Sequence, residues 1–102
     1  MAQGLKIQSN GTTTTVAIEG LADMQAVVDG YIERACSFDG VDMWVNEEGL
    51  LRTLPINMKA TAIRDRLTAI PAFYPIVGDV LILASDEVSD VPQEIIDRLN
   101  RA

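Results

Sequence analysis

A chain of 102 residues, 48% hydrophobic and 23% charged, makes one soluble domain, and no apolar run nears the ~18 residues of a membrane span. The absence of histidine and the single Cys36 exclude Ser-His-Asp and Cys-His catalysis, zinc held by imidazoles or several thiolates, and an internal disulfide. A net charge of −7, from eight basic and fifteen acidic side chains, disfavours direct contact with nucleic acid or an anionic membrane and suits a basic partner surface.

Residues 5–9 alternate apolar and polar, and residues 12–19 are rich in β-branched side chains with Val16 and Ile18 on one face. Asn10-Gly11 between them predicts a β-hairpin with a type I′ turn, in which both central residues need positive φ. Leu21, Met24 and Val28, at i, i+3 and i+7, predict a helix over 21–29 that stops at Gly30. Residues 31–36 and 41–46 read as paired strands around a turn at 37–40. Val41, Met43 and Val45 would face one way and Trp44 the other.

Asn46-Glu47-Glu48-Gly49 has turn chemistry, and residues 50–53 are expected to return as a short strand that Pro55 ends. Asn57 is placed to cap a helix over 58–67, with Ile63, Leu67 and Ile70 on its buried face. Residues 76–84 are apolar without alternation and predict a central strand covered on both faces. An acidic loop at 86–90 leads through Asp90-Val91-Pro92-Gln93 into a last helix, with Pro92 in its first turn. Val91, Ile95 and Leu99 would face inward, and Arg98 and Arg101 would sit at the end that favours cations. The sum is a single α+β domain over 1–102, a mostly antiparallel sheet of five to six strands with two to three short helices.

Half of the basic residues lie in one segment: residues 51–67 carry Arg52, Lys59, Arg64 and Arg66 against Asp65. Amides at the start of a helix after Asn57 would form a modest anion site, arginines nearby could grip a phosphate, and Trp44 or Tyr74 could stack on a base. The candidate ligand-binding set is therefore Arg52, Asn57, Lys59, Arg64, Arg66, Trp44 and Tyr74, and the ligand a nucleotide or cyclic nucleotide. The plainer reading is a helix with a charged outer face.

Glu47 and Glu48, with Asp42 and Asp79, could hold a divalent cation or serve as acid and base, but the ligand spacing of a calcium loop is missing. Solvated turn residues are the plainer account. Gly78-Asp79 interrupts an apolar strand, as a bulge, a strand start, or a close approach by a ligand. Cys36 reads as a small buried apolar residue; a reactive thiolate there would need a cation such as Arg34. A DNA mimic fits poorly, because its carboxylates must be dense and these are diluted by bases. No catalytic residue, cofactor or metal is expected.

Several blocks occur in a recognisable order. They are Leu21, Met24-Gln25, Val27-Val28 and Gly30-Tyr31-Ile32-Glu33; then Val45-Asn46-Glu47-Glu48-Gly49; then Leu54-Pro55, Asn57 and Ala60-Thr61; then Ile76-Val77-Gly78-Asp79-Val80-Leu81-Ile82-Leu83. Together they resemble a family of small phage and plasmid proteins catalogued as domain of unknown function 3846. The resemblance implies an accessory protein in the bacterial host cytoplasm, with no catalytic residues to carry over, and counter-defence or host takeover as its setting. A lone cysteine and the lack of a signal-peptide pattern agree with a cytoplasmic location. The leading expectation is thus a non-enzymatic binder of a host protein, in a possible homo-oligomer. Sequestration of a nucleotide signal through residues 52–66 is the alternative. A metal-dependent hydrolase on Asp42, Glu47, Glu48 or Asp79 stands below both.

Overall fold

A computed structural model describes residues 1–69 and 73–101 of the protein. Among these residues lie five strands and three helices: β1 (Ala2–Ile7), β2 (Thr13–Ile18), α1 (Leu21–Val28), β3 (Ile32–Phe38), β4 (Val41–Asn46), α2 (Met58–Leu67), β5 (Val80–Ala84) and α3 (Gln93–Asn100). The strands form one sheet in the order β2-β1-β5-β4-β3, and every neighbouring pair is antiparallel. The α+β architecture follows the sequence reading.

The sheet is covered on both sides. Val80 and Ile82 of β5 pack with Leu5, Ile7, Met43, Ile63 of α2, and Ile95 and Leu99 of α3. Leu81 and Leu83 face the other way, toward Met24, Val27 and Val28 of α1. Burying each large aliphatic side chain contributes roughly 1.5–3 kcal/mol, so a strand apolar on both sides is held only between two layers. Val41 and Met43 point to the α2–α3 side and Trp44 to the α1 side, as the strand period requires.

Turn chemistry is distributed differently from expectation. Gly11 has φ 91°, but Asn10 does not take a positive φ. The Gly11 N–H donates to the Gln8 carbonyl and the Gln8 N–H to the Thr12 carbonyl, both at 2.8 Å. The loop is therefore three residues long with glycine in its left-handed position, the bulged alternative to a type I′ hairpin. Positive φ at both turn residues occurs instead at Asp39 (49°) and Gly40 (82°), where Phe38 pairs directly with Val41. Strand β3 accordingly runs on through Ser37 and Phe38, which the sequence reading assigned to the turn.

Residues 50–53 form no strand. The N–H groups of Arg52, Thr53 and Leu54 bond back to Glu48, Leu50 and Gly49 at 2.8, 3.2 and 3.0 Å, and Thr53 has φ 55°. Local bonds satisfy these amides, and Leu50 and Leu51 stay exposed, so no apolar face holds the segment against a sheet. Strand β5 begins only at Val80, because Gly78 (φ 75°) turns the chain and its N–H donates to the Pro55 carbonyl at 2.7 Å.

In α1 the left-handed C-terminal residue is Asp29 rather than Gly30, and Leu21 is exposed at the helix start while Val27 is buried. Pro92 occupies the N-cap of α3, one position before its first turn. Ile63 is buried as expected and Leu67 half-buried; Ile70 lies outside the described residues.

Candidate functional site

The basic segment does not gather into one site. The Nη1 of Arg52 donates to the Asp29 carbonyl at 2.7 Å and its Nη2 lies 3.3 Å from the Asp29 carboxylate, closing the end of α1. Lys59 Nζ donates to the Asn100 carbonyl at 3.2 Å, at the end of α3. Arg64 pairs through Nε with Asp65 at 3.0 Å and donates from Nη1 to the Tyr74 carbonyl at 2.8 Å. Arg66 is exposed on α2. A helix turns about 100° per residue, so positions close in sequence point around its girth.

Asn57 is fully buried and structural. Its Nδ2 donates to the carbonyls of Ile7 (3.0 Å) and Gly78 (2.9 Å), and its Oδ1 accepts the Ala60 N–H at 3.0 Å as the cap of α2. Trp44 is half-buried on the opposite, α1 face of the sheet, and its Nε1 is buried without a hydrogen-bond partner among the described residues. It cannot share a ligand with Tyr74 across the sheet.

Arg64 and Tyr74 are the two predicted site residues that meet in a groove. A cavity of about 250 Å³ opens between β3, β4, the loop after β4 and residues 74–77. Its walls include Ala35, Val45, Leu50, Pro75 and Val77, with Glu33, Glu47, Arg64 and Tyr74 among the polar groups. The register shift between Arg34 and Cys36 makes Ala35 an extra residue in β3, and this bulge turns Ala35 onto the groove side. Tyr74 is 67% exposed and the adjacent Phe73 90%. Glu33 and Glu47 have no ion pair among the described residues, whereas the Arg64 fork is occupied. The groove therefore offers apolar walls and two carboxylates that lack a cation.

The carboxylates singled out in the sequence do not converge. Asp42 is buried and accepts the hydroxyls of Ser37 (2.6 Å) and Ser85 (3.0 Å). Asp79 lies 3.7 Å from Lys6 Nζ and accepts the Ser9 N–H at 3.0 Å. Glu47 and Glu48 sit in the exposed turn after β4, where the Glu48 N–H donates to Asn46 Oδ1 at 2.8 Å. No group of three residues able to hold a metal ion occurs among the described residues.

Cys36 is buried, and burial pushes its thiol pKa up. The Arg64 guanidinium pulls it partly back and Asp42 adds a further push. The cation acting on this thiol is thus Arg64, from α2, rather than its sequence neighbour Arg34. A thiol held in its neutral form is a poor nucleophile.

Sequence reasoning missed a second concave place. Arg66 of α2 meets Arg98, in the last turn of α3, and Arg101, at its C-terminal cap, around a cleft of about 220 Å³ floored by Ile63, Leu67 and Leu99. The separation of 32 residues between Arg66 and Arg98 hides this grouping. The signal available was the i, i+3 spacing of Arg98 and Arg101 on a helix whose inner face was already evident.

The model of the family described as "Domain of unknown function (DUF3846)" matches residues 2–102. No curated protein and no solved structure matches the chain. No helix among the described residues is long and apolar enough to cross a membrane.

Proposed function

The chain belongs to the DUF3846 family, and on that premise we propose that it acts by binding a partner protein, without catalysis. The observation that carries this reading is the groove beside β3, where exposed Tyr74 and apolar Ala35, Val45 and Leu50 stand next to Glu33 and Glu47. A partner segment that places an apolar side chain on the groove walls and a lysine or arginine between the two carboxylates matches that chemistry. Tyrosine is among the side chains that most often anchor such contacts. The net charge of −7 speeds encounter with a basic surface. In the setting that the family resemblance implies, the partner is a host protein and the chain a phage- or plasmid-type accessory factor.

Capture from bacterial lysate with the wild-type chain and with a Glu33→Lys, Glu47→Lys, Tyr74→Ala variant tests the reading. A partner held by the wild type and by an Arg66→Gln control, but lost by the triple variant, is the expected result. Equal capture by the triple variant, or no saturable partner at all, removes it.

A further inference from the structure

We propose that the cleft between α2 and α3 is a separate binding site for a small anion with an apolar body, a phosphomonoester or carboxylate whose head meets Arg66, Arg98 and Arg101. The site is independent of the groove beside β3. Three of the chain's six arginines line this one cleft, in a protein of net charge −7. Its floor is apolar: Ile63 and Leu99 are buried, and Leu67 is half-buried beside them. A cationic rim over an aliphatic floor matches a ligand with one charged end and one apolar end.

Arginines near helix C-termini often serve the helix dipole, and that role is already filled by other groups. The Arg64 carbonyl of α2 accepts the Thr68 N–H at 3.0 Å and the Thr68 hydroxyl at 2.8 Å. The Asn100 carbonyl of α3 accepts Lys59 Nζ at 3.2 Å. Two carboxylates on these helices are engaged away from the rim: Asp65 pairs with Arg64, and Asp97 accepts the Gln93 amide at 2.9 Å. Arg98 makes one ion pair, with Asp39 at 2.9 Å. The side chains of Arg66 and Arg101 make no hydrogen bond or ion pair among the described residues. Planar guanidinium forks suit the paired oxygens of a phosphate or carboxylate. At about 220 Å³ the cleft is smaller than the ~300–1,000 Å³ typical of sites for drug-sized ligands, so it takes one headgroup and a short body.

Titration of the full chain with phenyl phosphate, benzoate, inorganic phosphate and benzyl alcohol, read by thermal shift and by arginine Nε–H resonances, tests the proposal. Phenyl phosphate or benzoate is expected to bind saturably and move the Arg66 and Arg101 signals, and the stronger of the two identifies the headgroup. Benzyl alcohol should leave both signals in place. Arg66→Gln and Arg101→Gln should each weaken binding about tenfold, the scale of a lost charge-assisted hydrogen bond. Leu67→Ala should weaken the aryl anion and leave inorganic phosphate unchanged. Glu33→Lys in the groove should change none of this. Inorganic phosphate binding as tightly as phenyl phosphate, equal binding by the arginine variants, or no saturation by about 10 mM, where binding is weaker than ~3 kcal/mol, would each overturn it.

Discussion

The Asn57 amide donates to the Ile7 carbonyl at 3.0 Å, joining residues 50 positions apart inside the core. The same side chain reaches the Gly78 carbonyl and caps α2 through the Ala60 N–H, so one buried residue ties β1, α2 and the approach to β5. Asn57→Ala leaves two carbonyls and one amide buried without partners. Each such group costs about 1–3 kcal/mol, and loss of a cap about 1 kcal/mol, with partial relaxation reducing the sum. We expect a destabilisation of roughly 3 kcal/mol or more by urea unfolding. A loss below about 1 kcal/mol would show that water replaces these bonds freely.

Asn46 plays the matching role on the α1 side. Its Nδ2 donates to the carbonyls of Val28 and Asp29, both at 3.0 Å. A β-carbon at Gly30, where φ is 156°, would stand 2.6 Å from that nitrogen. Gly30→Ala must displace a buried amide from two carbonyls, and we expect a loss of about 2 kcal/mol. Arg52→Ala should cost much less, because its ion pair with Asp29 is exposed and such pairs contribute about 0–1 kcal/mol. Hydrogen exchange along α1 distinguishes the two: Gly30→Ala should release the last turn, and unchanged protection there would count against the clash.

The sheet and its helices were legible because side-chain period reports burial directly. Uninterrupted apolar character at residues 80–84 required two layers, and Val91, Ile95 and Leu99 named the inner face of α3. Turn type was less legible. Asn10-Gly11 and Asp39-Gly40 look alike locally, and strand register decides which becomes the two-residue turn. The candidate site was the least legible. Proximity in sequence put Arg52, Lys59, Arg64 and Arg66 together, but a loop and the turning of α2 send the first three to different carbonyls and Arg66 to the cleft beside α3. Tyr74 and Glu33 in the groove, like Arg66 and Arg101 in the cleft, are joined only by packing across distant segments. Ala35 reaches the groove through a bulge that no residue type announces.

Cys36 gives a prediction in alkaline solution. Its thiol pKa is raised in the folded chain, chiefly by burial, so the unfolded chain ionises first as pH rises. The stabilising contribution is complete below the unfolded value, near pH 8.5, and is lost as pH climbs toward the folded value. Cys36→Ala should lower stability at neutral pH through the smaller side chain, yet flatten the decline with pH. Parallel declines for the two proteins would mean that the thiol does not contribute. Slow labelling of the native thiol by iodoacetamide is the companion expectation.

Asp86 gives the opposite sign. Its carboxylate accepts the Ser89 hydroxyl and the N–H groups of Ser89 and Val88, at 2.5, 2.8 and 3.0 Å. These bonds, the Ser89 hydroxyl first, lower its pKa. A depressed folded pKa stabilises above the unfolded value, and that contribution disappears as pH falls through the folded one. Ser89→Ala should move the Asp86 pKa upward, observed by carboxylate NMR during acid titration. An identical midpoint in the variant would assign the shift to the backbone amides alone.

Asp39 connects the type I′ turn to the arginine cleft, since its carboxylate lies 2.9 Å from Arg98 Nη1 while its backbone holds φ 49°. Asparagine tolerates the left-handed region as well as aspartate does, so Asp39→Asn preserves the turn and removes the charge. Both partners of the ion pair are about half exposed, and its loss should change stability by less than about 1 kcal/mol. The effect on the cleft should be larger in proportion. With Arg98 no longer neutralised, the rim gains a cation, and phenyl phosphate should bind several-fold more tightly, with a steeper dependence on salt. Weaker binding by Asp39→Asn would mean that Asp39 holds Arg98 in its binding position, and unchanged binding would place Arg98 outside the site.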